Sequence, residues 1–249
     1  SAVSELAALA VYFQEFLRHS ASSKLLEVSK HLWRLDWLLQ HRIFMLSRWL
    51  MLQEAMAFGV WLYFFIVVEN AGGERAVTDL VSVFVLFGAV LFLFVHAFGS
   101  AAGTIAANYA GAGKPEWIRP MASLALRLCA LVLLPFFLCF ALFPSLVLGI
   151  LADLPEVISD AKPSFYVMVL AYALTTPAYL YFFVIGALGF AKESFRMTVT
   201  AVAAYGVYIA VLNLFTPPTA VYWTADIVYG LTLWLGVTVV WRRARAAGF

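Results

Sequence analysis

The chain alternates long apolar runs with short polar breaks. Six runs are read near 43–68, 77–110, 120–151, 162–190, 195–215 and 219–241. Each is long enough to supply the roughly 20 apolar residues that cross a hydrocarbon core of ~30 Å. The breaks are Glu69–Arg75, Gly111–Arg119, Ala152–Lys162, Ala191–Ser194 and Thr216–Thr219. The runs are unbroken rather than alternating over about ten residues, so they predict helices and not barrel strands. The expected fold is all-α: a polytopic membrane protein whose residues 43–249 form a six-transmembrane-helix bundle with a short tail. Ahead of it, Arg18, Lys24, Lys30, Arg34 and Arg42 alternate with leucines, Trp33 and Trp37. That pattern predicts an amphipathic helix over 18–42, lying on a membrane surface. Residues 1–17 read as the end of a preceding transmembrane helix.

Within the second run, Gly99, Ala102, Gly103, Ala106, Ala107 and Ala110 recur at helical spacing. Such a face lets a neighbouring helix backbone approach closely, which is how helices associate in lipid. Gly111 and Gly113, followed by Pro115, stop the helix. Gly99, Gly103, Gly111 and Gly113 are therefore read as a packing and turn motif. Pro135, Pro144 and Pro177 fall inside apolar runs and permit kinks.

Charge adds orientation. With 18–42 in the cytoplasm, Lys114, Arg119, Lys192, Arg196, Arg242, Arg243 and Arg245 all fall on the cytoplasmic side, and only Arg75 and Lys162 fall outside. A Lys/Arg bias of this kind sets topology and places the C-terminus in the cytoplasm. Composition agrees: 64% of residues are hydrophobic and 12% charged, against about half and a quarter in a soluble domain. Cys129 and Cys139 lie ten apart on one run, about 15 Å along a helix, too far to pair; they read as buried small hydrophobes. No phosphate loop, Cys/His metal cluster or nucleophile triad is present, so an enzyme, an ATP-driven pump, a cofactor-bearing protein and a nucleic-acid binder have no support.

Three segments then carry a resemblance. Gly99-Ser-Ala-Ala-Gly-Thr with Asn108 and Gly111-Ala-Gly-Lys-Pro-Glu, Phe143-Pro-Ser-Leu with Asp153-Leu-Pro-Glu-Val-Ile-Ser-Asp-Ala, and Gly186-Ala-Leu-Gly-Phe-Ala-Lys-Glu stand in this order in the chain. Together the chain resembles the C-terminal lobe of multidrug and toxic compound extrusion (MATE) transporters. The resemblance implies a half of a two-lobe secondary transporter in a bacterial inner membrane. Its expected partners are the bilayer, a missing N-terminal six-helix lobe and small lipophilic organic cations, exported by antiport with H+ or Na+. A flippase for lipid-linked sugars and a non-transporting scaffold are the alternatives.

Ionisable groups inside a membrane are costly and mark functional sites. Glu54 lies about eleven residues into its run, roughly 16 Å deep, beside Gln53. It matches an acid that the resemblance assigns to cation or substrate coupling, and would be the Na+ ligand if Na+ binds. Asp226 is read nearer the outer surface and is expected to matter less. The second acid of sodium-coupled members is replaced here by Ala178. Trp61, His96, Tyr172 and Tyr179 are candidate cavity-lining residues, with Tyr63, Phe64 and Tyr181 also near candidate faces. Aromatic rings suit lipophilic cations.

Overall fold

A computed structural model describes residues 9, 11, 37–86, 91–150 and 155–246. The predicted 1–17 tail and most of the 18–42 linker lie outside them. The chain divides into two units, Ser1–Leu46 and Ser47–Phe249. The helices are α1 (Trp37–Leu86), α2 (Leu93–Gly111), α3 (Ile118–Leu142), α4 (Pro144–Leu148), α5 (Pro155–Ala187), α6 (Ala191–Phe215), α7 (Thr219–Tyr222) and α8 (Thr224–Ala246), with a 3-10 turn at Pro115–Trp117. The architecture is an all-α polytopic membrane bundle. Five segments among the described residues are long and apolar enough to span a membrane: Trp37–Ala71, Pro115–Leu142, Pro155–Ala187, Ala191–Phe215 and Thr219–Arg243.

Three breaks fall elsewhere than expected. The Glu69–Arg75 segment does not interrupt α1. Glu, Ala and Arg are good helix formers, and the Gly72-Gly73 pair costs about 1 kcal/mol per glycine without a proline to stop the helix. Among the described residues α1 runs on to Leu86. Pro155 opens α5, so much of the predicted Ala152–Lys162 loop is helical; proline fits a first helical turn, where its missing N–H has no partner to lose. The third run ends early at Leu142, and Pro144 starts the short α4.

Within the second unit α5 is the central helix, packed against α2, α3 and α8. Glycines make those contacts close. A Cβ on Gly99 would stand 2.6 Å from Phe183 Cδ2, and one on Gly103 2.8 Å from the Ala187 Cβ. On the other side of α5, a Cβ on Gly230 would stand 2.5 Å from the Thr175 Cβ. Gly236 meets Met197 of α6 in the same way, at 2.7 Å from its Cγ. Lipid tails are as apolar as leucine, so this backbone approach and the dispersion contact it allows hold the bundle together. Gly111 and Gly113 do not belong to that packing: a Cβ at either meets open space. Gly113 instead takes φ +68° in the turn after α2, a left-handed conformation that glycine adopts without strain. Both cysteines are unpaired; Cys129 is buried but Cys139, read as buried, is exposed.

Candidate functional site

A cavity of about 460 Å³ opens between the helices of the second unit. α1 contributes Glu54, Ala57, Phe58, Val60 and Trp61; α5 contributes Ala171, Tyr172, Thr175 and Tyr179. Tyr205 comes from α6, Asp226 and Tyr229 from α8, and Phe92 from the short π-helical stretch that runs into α2. The spacing explains the selection. Residues three and four apart share a helix face, which aligns Glu54, Phe58 and Trp61 on α1, Tyr172, Thr175 and Tyr179 on α5, and Asp226 with Tyr229 on α8.

The rings form a continuous wall. Tyr179 stacks on Tyr229 at 6.2 Å between centroids and 22° between planes, and Tyr205 meets Tyr229 edge-on at 6.1 Å. Phe92 meets Tyr179 edge-on at 6.0 Å. Behind this wall Phe64 packs on Tyr205 at 6.2 Å and on Trp223 at 4.9 Å. The two carboxylates share the cavity. Asp226 lies within electrostatic range of Tyr172, Tyr179, Tyr205 and Tyr229, and Tyr229 is in range of Glu54 as well. No lysine, arginine or histidine is among the lining residues. The cavity therefore presents two acids and a belt of π-faces with, among the described residues, no built-in counter-ion. Such a surface attracts a cation by charge and by ring quadrupole.

α5 is loosened where it lines this cavity. Pro177 has no N–H to give to the Ala173 carbonyl one turn earlier. The preceding hydroxyls bond back along the helix, Thr175 Oγ1 donating to the Ala171 carbonyl at 2.8 Å and Thr176 Oγ1 to the Tyr172 carbonyl at 2.7 Å. Back-bonded threonines and a proline together bend helices.

Glu54, Trp61, Tyr172, Tyr179 and Asp226 thus meet in one place. Gln53 does not join them. It is 8% exposed, and its Oε1 finds no hydrogen-bond partner. One residue of helix turns a side chain by about 100°, so Gln53 faces the core while Glu54 faces the cavity. His96 is also outside the lining; its exposed ring lies edge-on to Phe183 at 5.0 Å. Among the other aromatic candidates, Phe64 is core, Tyr63 is exposed, and Tyr181 packs on Trp234 and Trp241. Within the bundle Glu54 is exposed and Asp226 half-buried. Ala178 sits in an apolar cluster with Ile185, Met197 and Leu233. Tyr205, Tyr229, Thr175, Phe58 and Phe92 were not singled out in sequence. Helical spacing from Asp226, Tyr172 and Glu54 was the local signal for Tyr229, Thr175 and Phe58; Tyr205 and Phe92 are joined to the site only across helices. Among the described residues no group of three or more His, Cys, Asp or Glu side chains is placed to hold a metal ion.

The site is thus an acidic, aromatic cavity in an all-α membrane bundle. The MatE family model matches residues 54–215, more than half of the chain, and the chain belongs to the MatE family. It is therefore a multi-pass membrane protein of a transporter family. No curated protein and no solved structure matches it.

Proposed function

We propose that this chain forms one lobe of a secondary active transporter that exports lipophilic organic cations by antiport with H+ or Na+. The carrying observation is the placement of Glu54 and Asp226 in a single aromatic cavity with no basic side chain among its described lining residues. A lipophilic cation would lie against the tyrosine belt with its charge toward the carboxylates. The same carboxylates would take the coupling ion in its absence, so that each flux displaces the other. A proton needs one carboxylate. Sodium needs several oxygens, and the Tyr and Thr oxygens beside Asp226 would supply them, since position 178 offers none. The partner lobe would close the cavity from the side of Glu54, and alternating access would rock one bundle against the other. A bacterial inner membrane with the C-terminus in the cytoplasm fits the distribution of Lys and Arg.

The two alternatives fit the cavity less well. A flippase for lipid-linked sugars needs cationic groups for a pyrophosphate, and Arg48, which lies 5.0 Å over the Trp49 ring, is not in the lining. A scaffold needs no acidic cavity. The test is equilibrium binding of tetraphenylphosphonium to the purified chain in nanodiscs. Asp226→Asn and Glu54→Gln should each weaken binding about tenfold, roughly 1.4 kcal/mol. Unchanged affinity in both variants would remove the cavity from the mechanism.

A further inference from the structure

The exposed arc of α2 carries two neighbouring stripes of opposite character. Leu93, Ala97, Ala101 and Ile105 form one; His96, Ser100, Thr104 and Asn108 form the other. Both repeat every four residues and all eight side chains are exposed. The opposite face, with Gly99, Ala102, Gly103 and Ala106, is buried, and Gly99 and Gly103 lie on α5. The polar stripe continues upward into Phe92, four residues before His96, whose ring lines the cavity and lies 6.2 Å from the His96 ring. It runs downward to Asn108, beside the Gly111–Lys114 turn. From His96 to Asn108 the stripe is about 18 Å long.

Polar side chains at membrane depth face protein or water, not lipid. Here the polar stripe is exposed, while the stripe one residue over is wholly apolar. The apolar stripe would suit lipid and the polar stripe would suit water. Burying the hydroxyls and imidazole in hydrocarbon would cost several kcal/mol in total. Thr104 Oγ1 reaches only the Ser100 carbonyl, at 3.0 Å.

We infer that the His96–Ser100–Thr104–Asn108 face of α2 is the wall of a hydrated path joining the cavity to the aqueous phase at the Lys114 turn. Water and protons would reach the cavity along it, with His96 at its inner mouth. The inference stands on α2 itself and not on the identity of the cargo.

The test is labelling of single cysteines with a membrane-impermeant, cationic methanethiosulfonate in sealed membrane vesicles. The background keeps the buried Cys129 and carries Cys139→Ser. His96→Cys, Ser100→Cys, Thr104→Cys and Asn108→Cys should react at least ten times faster than Leu93→Cys, Ala97→Cys, Ala101→Cys and Ile105→Cys. Lys114→Cys serves as the reporter of sidedness, and His96→Cys should react from the same face. Adding Ser100→Phe should slow labelling of His96→Cys from that face at least fivefold. Equal rates for the two stripes, an unreactive polar stripe, or labelling of His96→Cys only from the face opposite Lys114→Cys would each overturn the path. Tetraphenylphosphonium affinity is a separate readout, so failure here leaves the cation-site result standing, and the reverse.

Discussion

Glu54 and Asp226 approach the cavity from α1 and α8, and their surroundings differ. Glu54 is exposed on the open side; Asp226 is half-buried among four tyrosines. A charge enclosed by rings and away from water interacts more strongly with a ligand than one that water screens. In an assembled transporter, Asp226→Asn should therefore lower cation uptake into vesicles at least as much as Glu54→Gln, with ten- to hundredfold losses expected for either. A parent rate for Asp226→Asn with a loss confined to Glu54→Gln would restore the ordering read from sequence. The aromatic belt gives a graded companion test. Tyr229→Ala removes the ring shared by Tyr179 and Tyr205 and should weaken binding of tetraphenylphosphonium by about 1–2 kcal/mol, whereas Tyr229→Phe should retain most of it.

The helices are held by glycine contacts on both sides of α5, and these are where substitution should be least tolerated. Gly230→Val would drive a branched side chain into Thr175, and Gly99→Leu would drive one into Phe183. Overpacking of this kind costs about 1–3 kcal/mol, visible as a lower midpoint of thermal unfolding in detergent. Gly111→Ala should leave the midpoint unchanged because its Cβ meets open space. Gly113→Ala should cost about 1 kcal/mol for its positive φ, not for any clash. Pro177 acts on the same helix by a different route. Pro177→Ala returns an N–H to the Ala173 carbonyl and should raise the unfolding midpoint while slowing transport, if bending of α5 beside the cavity is part of the cycle. A faster or unchanged transport rate would separate the proline from the cycle.

At the scale of the whole bundle, connectivity fixes which turns share a face. α3 and α5 each cross once between the Lys114 turn and the Gly189 turn, so these two turns lie on one side and the Thr216–Pro218 turn on the other. Cysteines at Lys114 and Glu193 should label from the same face of sealed vesicles, and one at Pro217 from the opposite face. Labelling of Lys114→Cys and Glu193→Cys from opposite faces would refute the arrangement. The Lys and Arg excess at the first two sites predicts that the shared face is the cytoplasmic one.

Membrane class, helical secondary structure and the spans after α2 were legible along the chain. These depend on local composition: an apolar run in lipid must satisfy its backbone internally, and a helix is the way to do it. The Gly99 and Gly103 face was legible for the same reason, because spacing and size are local. The cavity was legible in part, through acids that are conspicuous in apolar surroundings. Its wall was not. Tyr205, Tyr229 and Phe92 look in sequence like the other aromatic residues of membrane helices, and lipid is as apolar as the protein core, so hydropathy does not reveal which face turns inward. Only packing around α5 left Asp226 half-buried among tyrosines and put His96 on an exposed polar stripe. Residues as far apart in the chain as Glu54 and Tyr229 share a cavity because the fold turns one face of α1 and one face of α8 toward the same space.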